Sequence, residues 1–190
     1  EIFHFCSNTL TDESIFNVTL KAIKKAKAQG CVISFDVNLR FNLWSNKQVD
    51  INRIKAALKM ADVIKVSKEE SRWIIEHGFA MKAWLNTANL VWQTDGANDI
   101  EVFTKDNHFV LPAKKTRVVD STAAGDAFSA GLLMALNQFD ALFNNNHILS
   151  ENDIKNITLF ASSCGAAAVS KLGALPSLPT MNDVQQDWKF

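Results

Sequence analysis

Short apolar runs alternate with stretches of helical periodicity over the first half of the chain. Runs rich in Val, Ile and Phe are typical of buried strands, and apolar residues three and four positions apart are typical of helices. The predicted strands are Ile2–Cys6, Cys31–Val37, Val63–Val66 and Asn89–Thr94. The predicted helices between them are Ile15–Gln29, Ile51–Met60 and Ser67–His77. Helices between single strands predict a mostly parallel sheet with helices on both faces.

The pattern changes after Gly96. Two short alternating runs around a polar turn predict a β-hairpin, and a turn of small residues then leads into an apolar helix. The predicted elements here are the strands Ile100–Thr104 and His108–Leu111, the helices Ala127–Leu136 and Asp153–Ser170, and a polar loop at 144–146 between the two helices. The sequence contains no internal repeat or linker. It therefore predicts one α/β domain over residues 1–190.

The composition is that of a globular protein. Of the 190 residues 47% are hydrophobic, the formal net charge is zero, and no basic run or membrane-length apolar run is present. These features argue against a nucleic-acid or membrane partner. Cys6, Cys31 and Cys164 lie far apart without CxxC spacing, so we expect reduced thiols and a cytoplasmic protein. Because the chain opens on a strand-like run without an initiator Met, we expect it to be part of a longer protein.

The turn of small residues before the second-half helix is the main candidate for chemistry. It runs from Asp120 to Asp126, and small side chains there let backbone N–H groups converge at a helix start, where an anion is favoured. Asp126 would face that anion beside an attacking hydroxyl, which is an arrangement for phosphoryl transfer. In the alternative interpretation the segment is a turn and cap, and Asp126 satisfies N–H groups of the first helical turn.

Polar residues also follow three of the predicted strands. Ligands of open parallel sheets bind beyond the carboxyl ends of the strands. The groups at these ends are Asp36, Asn38 and Arg40 on one strand, Ser67 to Glu70 on the next, and Thr94 to Gly96 on the third. Residues 36, 38 and 40 share one face if the chain stays extended. Each group alone fits a helix cap, but three together with an anion-binding turn favour a ligand site.

Together these segments resemble the ribokinase-like (pfkB) family of carbohydrate kinases. Asp120-Ser121-Thr122-Ala123-Ala124-Gly125-Asp126 resembles the family signature Asp-Thr-x-Gly-Ala-Gly-Asp, with Ser at 121 and Ala at 123. Thr94-Asp95-Gly96-Ala97 resembles its nucleotide-binding segment, and Ala168–Ser177 resembles its closing Ala-Val-x-x-x-Gly-Ala-x-Pro segment. The resemblance covers nearly the whole chain. It implies a three-layer α/β fold whose N-terminal part and lid are missing here.

The resemblance also implies roles for the residues of the turn. Asp126 would be the base that accepts the sugar hydroxyl proton. Ala123 keeps a small side chain at the turn, so the anion hole should be retained. The backbone N–H groups of Ala124, Gly125 and Asp126 would form this anion hole for the transferring phosphoryl group. ATP would be bound by Ser67, Thr94, Gly96, Ala97 and Gly125, with the adenine ring near Ser162, Ser163 and Gly165. For these last three residues, close packing of the helix is the alternative.

Two metal sites are implied as well. Ser67-Lys68-Glu69-Glu70 resembles the family's Asn-x-x-Glu motif, in which Glu70 would organise Mg²⁺ through its waters, and a Ser cap with acids in the first turn is compatible with this. A monovalent cation such as K⁺ would lie beside the anion hole. Its ligands would be Asp120, Thr122, Ser177 and the carbonyl groups of Ala168, Lys171 and Gly173.

The segment Asp36-Val37-Asn38-Leu39-Arg40, followed by Leu43-Trp44, resembles fructokinases and 2-keto-3-deoxygluconate kinases. Asp36, Asn38, Arg40 and Asp126 would bind the substrate, with a surface salt bridge as the alternative for Arg40. The first hypothesis is therefore an ATP-dependent sugar kinase acting on fructose. Other sugar or nucleoside kinases of the family and a non-catalytic nucleotide-binding remnant are the alternatives. The full-length protein would be a homodimer.

Overall fold

The computed structural model of the chain describes residues 1–139 and 149–190, so the loop predicted at 144–146 lies outside the described residues. The strands are β1 (Ile2–Cys6), β2 (Val32–Asp36), β3 (Val63–Ser67), β4 (Leu90–Thr94), β5 (Ile100–Phe103) and β6 (His108–Leu111). The helices are α1 (Glu13–Ala28), α2 (Ile51–Leu58), α3 (Lys68–Glu76), the short α4 (Met81–Trp84), α5 (Ala124–Leu136), α6 (Glu151–Val169) and the short α7 (Met181–Val184). Every strand and long helix predicted from the sequence is present, with ends that differ by at most three residues.

The six strands form one sheet in the order β1-β2-β3-β4-β5-β6. β1 to β4 are parallel to one another, and β5 runs antiparallel to β4. The predicted hairpin is confirmed, because β5 and β6 are neighbours and the Thr104 N–H donates to the Asn107 carbonyl at 2.9 Å. All five residues of β2 are buried, as expected of a central strand that is covered on both faces.

The contacts divide the chain into two compact units. The first consists of Glu1–Asp95 with Glu101–Val110 and contains the strands β1 to β4 and the helices α1 to α4. Its core is built on Ile33 and Phe35 of β2 and Ile64 of β3, none of which is exposed to solvent. The second consists of Gly96–Ile100 with Leu111–Phe190 and contains α5, α6 and α7.

In the second unit α5 and α6 approach each other closely. A Cβ atom on Gly131 of α5 would lie 2.7 Å from the Cys164 sulfur and 3.1 Å from the Ala161 Cα. A Cβ atom on Gly165 of α6 would lie 3.3 Å from the Ala124 carbonyl oxygen. Glycine on each helix therefore permits the contact. In the described parts of the chain, no helix combines the length and apolarity needed to span a membrane.

Candidate active site

The start of α5 differs from the start of every other described helix of eight or more residues. α1, α2, α3 and α6 each begin with a side chain that accepts a hydrogen bond from a first-turn N–H group. The capping residues are Asp12, Asp50, Ser67 and Ser150. α5 begins after Ala123 and has no such side-chain cap. The interpretation in which Asp126 caps this helix therefore does not fit the structure.

The first turn of α5 is consequently available to a ligand. The first N–H groups of a helix have no partner within the helix, and no side chain of the described residues caps them here. The Ala124 N–H makes a long hydrogen bond of 3.3 Å to the Ser121 carbonyl. The N–H groups of Gly125 and Asp126 lie in the same first turn, at the helix end that carries partial positive charge. The Asp126 side chain is exposed and makes no hydrogen bond or ion pair with the described residues.

Ala123 gives the turn its shape. Its φ of 62° and ψ of 6° lie in the left-handed region, which costs an L-residue with a Cβ atom about 1–2 kcal/mol. The family signature has Gly at this position. α5 starts three residues earlier than the sequence predicted, because the chain turns at Ala123 and Ala124 is already helical.

Asp120 holds the turn against the segment that follows α6. One carboxylate oxygen accepts from the Thr122 hydroxyl at 2.7 Å and the Thr122 N–H at 2.9 Å, and the other accepts from the Gly173 N–H at 2.9 Å. The Val119 and Asp120 N–H groups both donate to the Val169 carbonyl. The bonds from Thr122, followed by the bond from Gly173, lower the pKa of Asp120 below its ordinary value of 3.8.

These contacts bring several of the predicted cation ligands together. Asp120, Thr122 and Gly173 are directly connected, and the Ala168 carbonyl lies in a turn where it accepts from the Lys171 N–H at 3.3 Å. Ser177 is fully buried and donates to the Ala174 carbonyl. The described residues contain no cluster of three or more His, Cys, Asp or Glu side chains suited to a metal. The donor set is thus all oxygen, and half of it consists of backbone carbonyl groups, which fits K⁺ better than a transition metal.

In the first unit, Asp36 is engaged in a buried ion pair. Its carboxylate oxygens both lie 3.2 Å from the Lys65 ammonium, and the two residues are 3% and 9% exposed. They are directly opposite each other in the register of β2 and β3. Lys65 was missed by the sequence reasoning, although a single Lys inside the apolar run Val63–Val66 was a visible signal.

The chain does not stay extended after Asp36, so the predicted shared face of residues 36, 38 and 40 is wrong. Asn38 has a φ of 38°, and its carbonyl accepts from the Ser7 hydroxyl at 2.9 Å. This turn ends the alternation of side chains that the prediction required. The Arg40 side chain is exposed and forms no salt bridge with a described residue, so the surface salt bridge considered for it is not formed within this part of the chain.

Glu70 connects the ends of β2 and β3. One carboxylate oxygen accepts from the Leu39 N–H at 2.6 Å, and the other accepts from the Ser67 N–H at 2.8 Å in a capping box. Ser67 is opposite Thr94 in the register of β3 and β4, so both lie at the carboxyl edge of the sheet. A carboxylate has about four acceptor sites, so Glu70 can still accept hydrogen bonds from the waters of a bound Mg²⁺.

The remaining predicted nucleotide-binding residues lie in the second unit. Gly96 has a φ of 58°, and the Ala97 carbonyl accepts from the Lys115 ammonium at 2.7 Å. Ser162 is buried and accepts from the Lys114 N–H at 2.8 Å. Gly165 approaches the Ala124 carbonyl closely. These contacts give Ser162 and Gly165 a role in helix packing, which is the alternative to adenine binding considered for them above.

Comparison with known proteins identifies the family. A profile described as pfkB family carbohydrate kinase matches residues 1–181. The chain belongs to the pfkB family. The relatives of this pfkB chain include Fructokinase-1 of Zea mays, 34% identical over 190 residues that cover 97% of this chain and 57% of the relative. Fructokinase-2 of Zea mays is 33% identical, with 97% of this chain and 55% of the relative covered.

Solved structures of pfkB kinases have the same fold. The crystal structure of fructokinase with bound ATP from Xylella fastidiosa matches with a TM-score of 0.90 and 34% identity, over 98% of this chain and 60% of that one. A double mutant of fructokinase from Vibrio cholerae O395, with fructose, ADP and potassium ion bound, matches with a TM-score of 0.85 and 30% identity. This match covers 100% of this chain and 60% of that one. The predicted ribokinase-like α/β fold is confirmed. This pfkB chain spans slightly more than half the length of the curated relatives it matches.

Proposed function

We propose that the protein to which this chain belongs is an ATP-dependent sugar kinase that transfers the γ-phosphate of ATP to a hydroxyl group of fructose. The observation that carries this proposal is the uncapped N-terminus of α5 with the unengaged Asp126 carboxylate in its first turn. Membership of the pfkB family and the similarity to fructokinases support both the reaction and the sugar.

Each group at the turn has a role in that reaction. The Asp126 carboxylate accepts the proton of the sugar hydroxyl while the hydroxyl oxygen forms a bond to the γ-phosphorus. At the same time the bond between the γ-phosphorus and the oxygen that bridges to the β-phosphate breaks, and ADP leaves. The N–H groups of Gly125 and Asp126, with that of Ala124, donate to the phosphoryl oxygens. Phosphoryl transfer in a loose transition state needs mainly positioning and charge stabilisation, so a few fixed donors and one base suffice.

The other predicted residues hold the nucleotide and its ions in this proposal. Ser67, Thr94, Gly96 and Ala97 bind ATP, and the exposed Arg40 binds a phosphate or a substrate oxygen, with Asn38 beside it on the same segment. Glu70 holds Mg²⁺ through water, and Mg²⁺ when bound neutralises phosphate charge. Asp36 contributes indirectly, because its carboxylate is buried. Its ion pair with Lys65 anchors the start of the segment 36–40, which carries Asn38 and Arg40.

K⁺ is proposed at the oxygen-rich site formed by Asp120, Thr122 and Ser177 with the carbonyl groups of residues 168, 171 and 173. There it would fix the turn that carries the anion hole. A cytoplasmic location and a homodimeric full-length protein complete the proposal. The absence of CxxC spacing among the three cysteines supports the location, and the family resemblance supports the dimer.

The test is a coupled ADP-release assay of the natural full-length protein with fructose, 2-keto-3-deoxygluconate, ribose and nucleosides. We expect fructose to give the highest kcat/KM. Asp126→Asn should lower kcat by about 10²–10⁴-fold while ATP still binds, because the variant loses the base and keeps the N–H groups. Glu13→Gln, a change at an exposed acid in the first turn of α1, is the matched control. Near-normal turnover of Asp126→Asn would overturn the assignment.

A further inference from the structure

A cavity of about 250 Å³ lies beside α6 in the second unit. Its floor is formed by Ser163, Ala166, Ala167 and Ser170, which lie on one face of the helix because they are three and four residues apart. One wall is the segment 114–116, and the other is the segment 183–187. The turn at Asp120–Asp126 contributes no residue to the lining.

The two aspartates of the lining already have their hydrogen bonds. Asp187 accepts from the Lys114 ammonium at 3.1 and 3.2 Å and from the Ser163 hydroxyl at 2.8 Å. Burial raises the pKa of Asp187, but the bonds from Ser163 and Lys114 outweigh it, so the pKa is lowered. Asp183 accepts from the N–H and hydroxyl of Thr180 at 2.8 Å and from the Lys171 ammonium at 3.4 Å. Neither carboxylate therefore needs a cation from outside.

The three lysines of the lining, in contrast, retain unused donors. An ammonium group has three N–H donors. Lys171 uses one in its long contact with Asp183, Lys115 uses one on the Ala97 carbonyl, and Lys114 directs its contacts to a single carboxylate. Among the described residues of the lining, three lysines against two aspartates also leave one net positive charge. The cavity can therefore still bind a group that carries negative charge and accepts hydrogen bonds.

We propose that this cavity is a binding site for a small organic anion that carries carboxylate or phosphate groups. Its charged groups would contact the ammonium groups of Lys114, Lys115 and Lys171, and its apolar part would lie on Ala166 and Ala167. The volume is below the roughly 300–1,000 Å³ of sites for drug-sized ligands, so the ligand is smaller than a nucleotide. The proposal concerns binding and does not depend on the proposed kinase reaction.

The test is isothermal titration calorimetry of the natural full-length protein with citrate as the carboxylate ligand and pyrophosphate as the phosphate ligand. Lys171→Met removes a charge at nearly constant volume, and Ala167→Leu fills the floor without changing charge. We expect each variant to weaken binding by about tenfold or more, because a hydrogen bond to a charged group is lost or blocked. The ligand that binds more tightly identifies the preferred anionic group.

Lys155→Met is the matched control, because Lys155 is an exposed lysine of α6 outside the cavity lining. It should change the affinity by less than about twofold, as expected for a distant surface charge. Near-ultraviolet circular dichroism of each variant checks that packing is retained. The proposal is overturned if neither ligand binds, if Lys155→Met weakens binding as much as Lys171→Met, or if the isotherms of both cavity variants match that of the unmodified protein.

Discussion

Ala123 shows how one backbone conformation shapes the candidate site. The left-handed φ of 62° directs the chain so that helix α5 begins immediately and its first N–H groups lack a side-chain cap. An alanine in this conformation is strained because its Cβ approaches the following carbonyl. The strain is located where an anion is proposed to bind, and strained backbone is often found at functional sites.

Ala123→Gly should therefore stabilise the chain, by about 1 kcal/mol, because glycine adopts positive φ without strain. The measurement is the free energy of unfolding from urea denaturation. Ala124→Gly is the control at the neighbouring helical position, where glycine should lower the stability by up to about 1 kcal/mol. Equal effects of the two substitutions would contradict a special conformation at Ala123.

The hydrogen bonds of the Asp120 carboxylate should make the free energy of unfolding depend on pH in the acid range. Its pKa is lowered in the folded protein, so the stabilisation that it provides is fully present above the ordinary value of 3.8. It is lost as the pH falls below that value and through the lowered folded pKa. Asp120→Ala should reduce the unfolding free energy at pH 7, and the difference from the unmodified chain should shrink towards pH 3. A difference for Asp120→Ala that stays constant over this pH range would contradict the linkage.

At the scale of elements, the contact between α5 and α6 depends on the missing side chain of Gly131. Its Cβ position is 2.7 Å from the Cys164 sulfur and 3.1 Å from the Ala161 backbone. Burial, with a smaller contribution from Asp187, raises the pKa of the Cys164 thiol to about 11, as expected for a thiol enclosed between helices. The sulfur is thus part of the packing of this helix pair.

Gly131→Ala should destabilise the chain although alanine favours a helix by about 1 kcal/mol over glycine. An added methyl group this close to its neighbours causes overpacking, which costs about 1–3 kcal/mol. We expect this cost to exceed the gain in helix propensity, because one of the neighbours is the Ala161 backbone, which cannot move aside easily. In a Cys164→Ala background the cost should be smaller but not zero, because the Ala161 Cα stays in place. Urea denaturation of the four proteins of this double-mutant cycle gives the coupling. A stabilising effect of Gly131→Ala alone would be incompatible with the described approach of the helices.

For the whole molecule, the alternation of apolar runs and helical periodicity was sufficient to predict the sheet and its long helices. The core of β2 is nearly all apolar, and Asp12 and Ser67 mark helix starts in the sequence itself. The uncapped start of α5 could be located only approximately, since it depends on a left-handed Ala that sequence patterns do not favour. The Asp36–Lys65 pair depends on the register of two strands, which a single sequence does not contain.

The predicted K⁺ site concerns the whole molecule, because it can be tested only through the activity of the full-length protein. Asp120 ties the α5 turn to Gly173, so an ion bound by Asp120 and the carbonyl groups near residues 168–173 would stiffen both segments at once. We expect ADP release with fructose to be faster in KCl than in NaCl at equal ionic strength, since the larger ion suits a site built of many oxygen atoms, including three backbone carbonyl groups. Tetramethylammonium chloride controls for screening, and Asp120→Ala should remove the difference between K⁺ and Na⁺. Equal rates in the two salts for the unmodified protein would rule out this site.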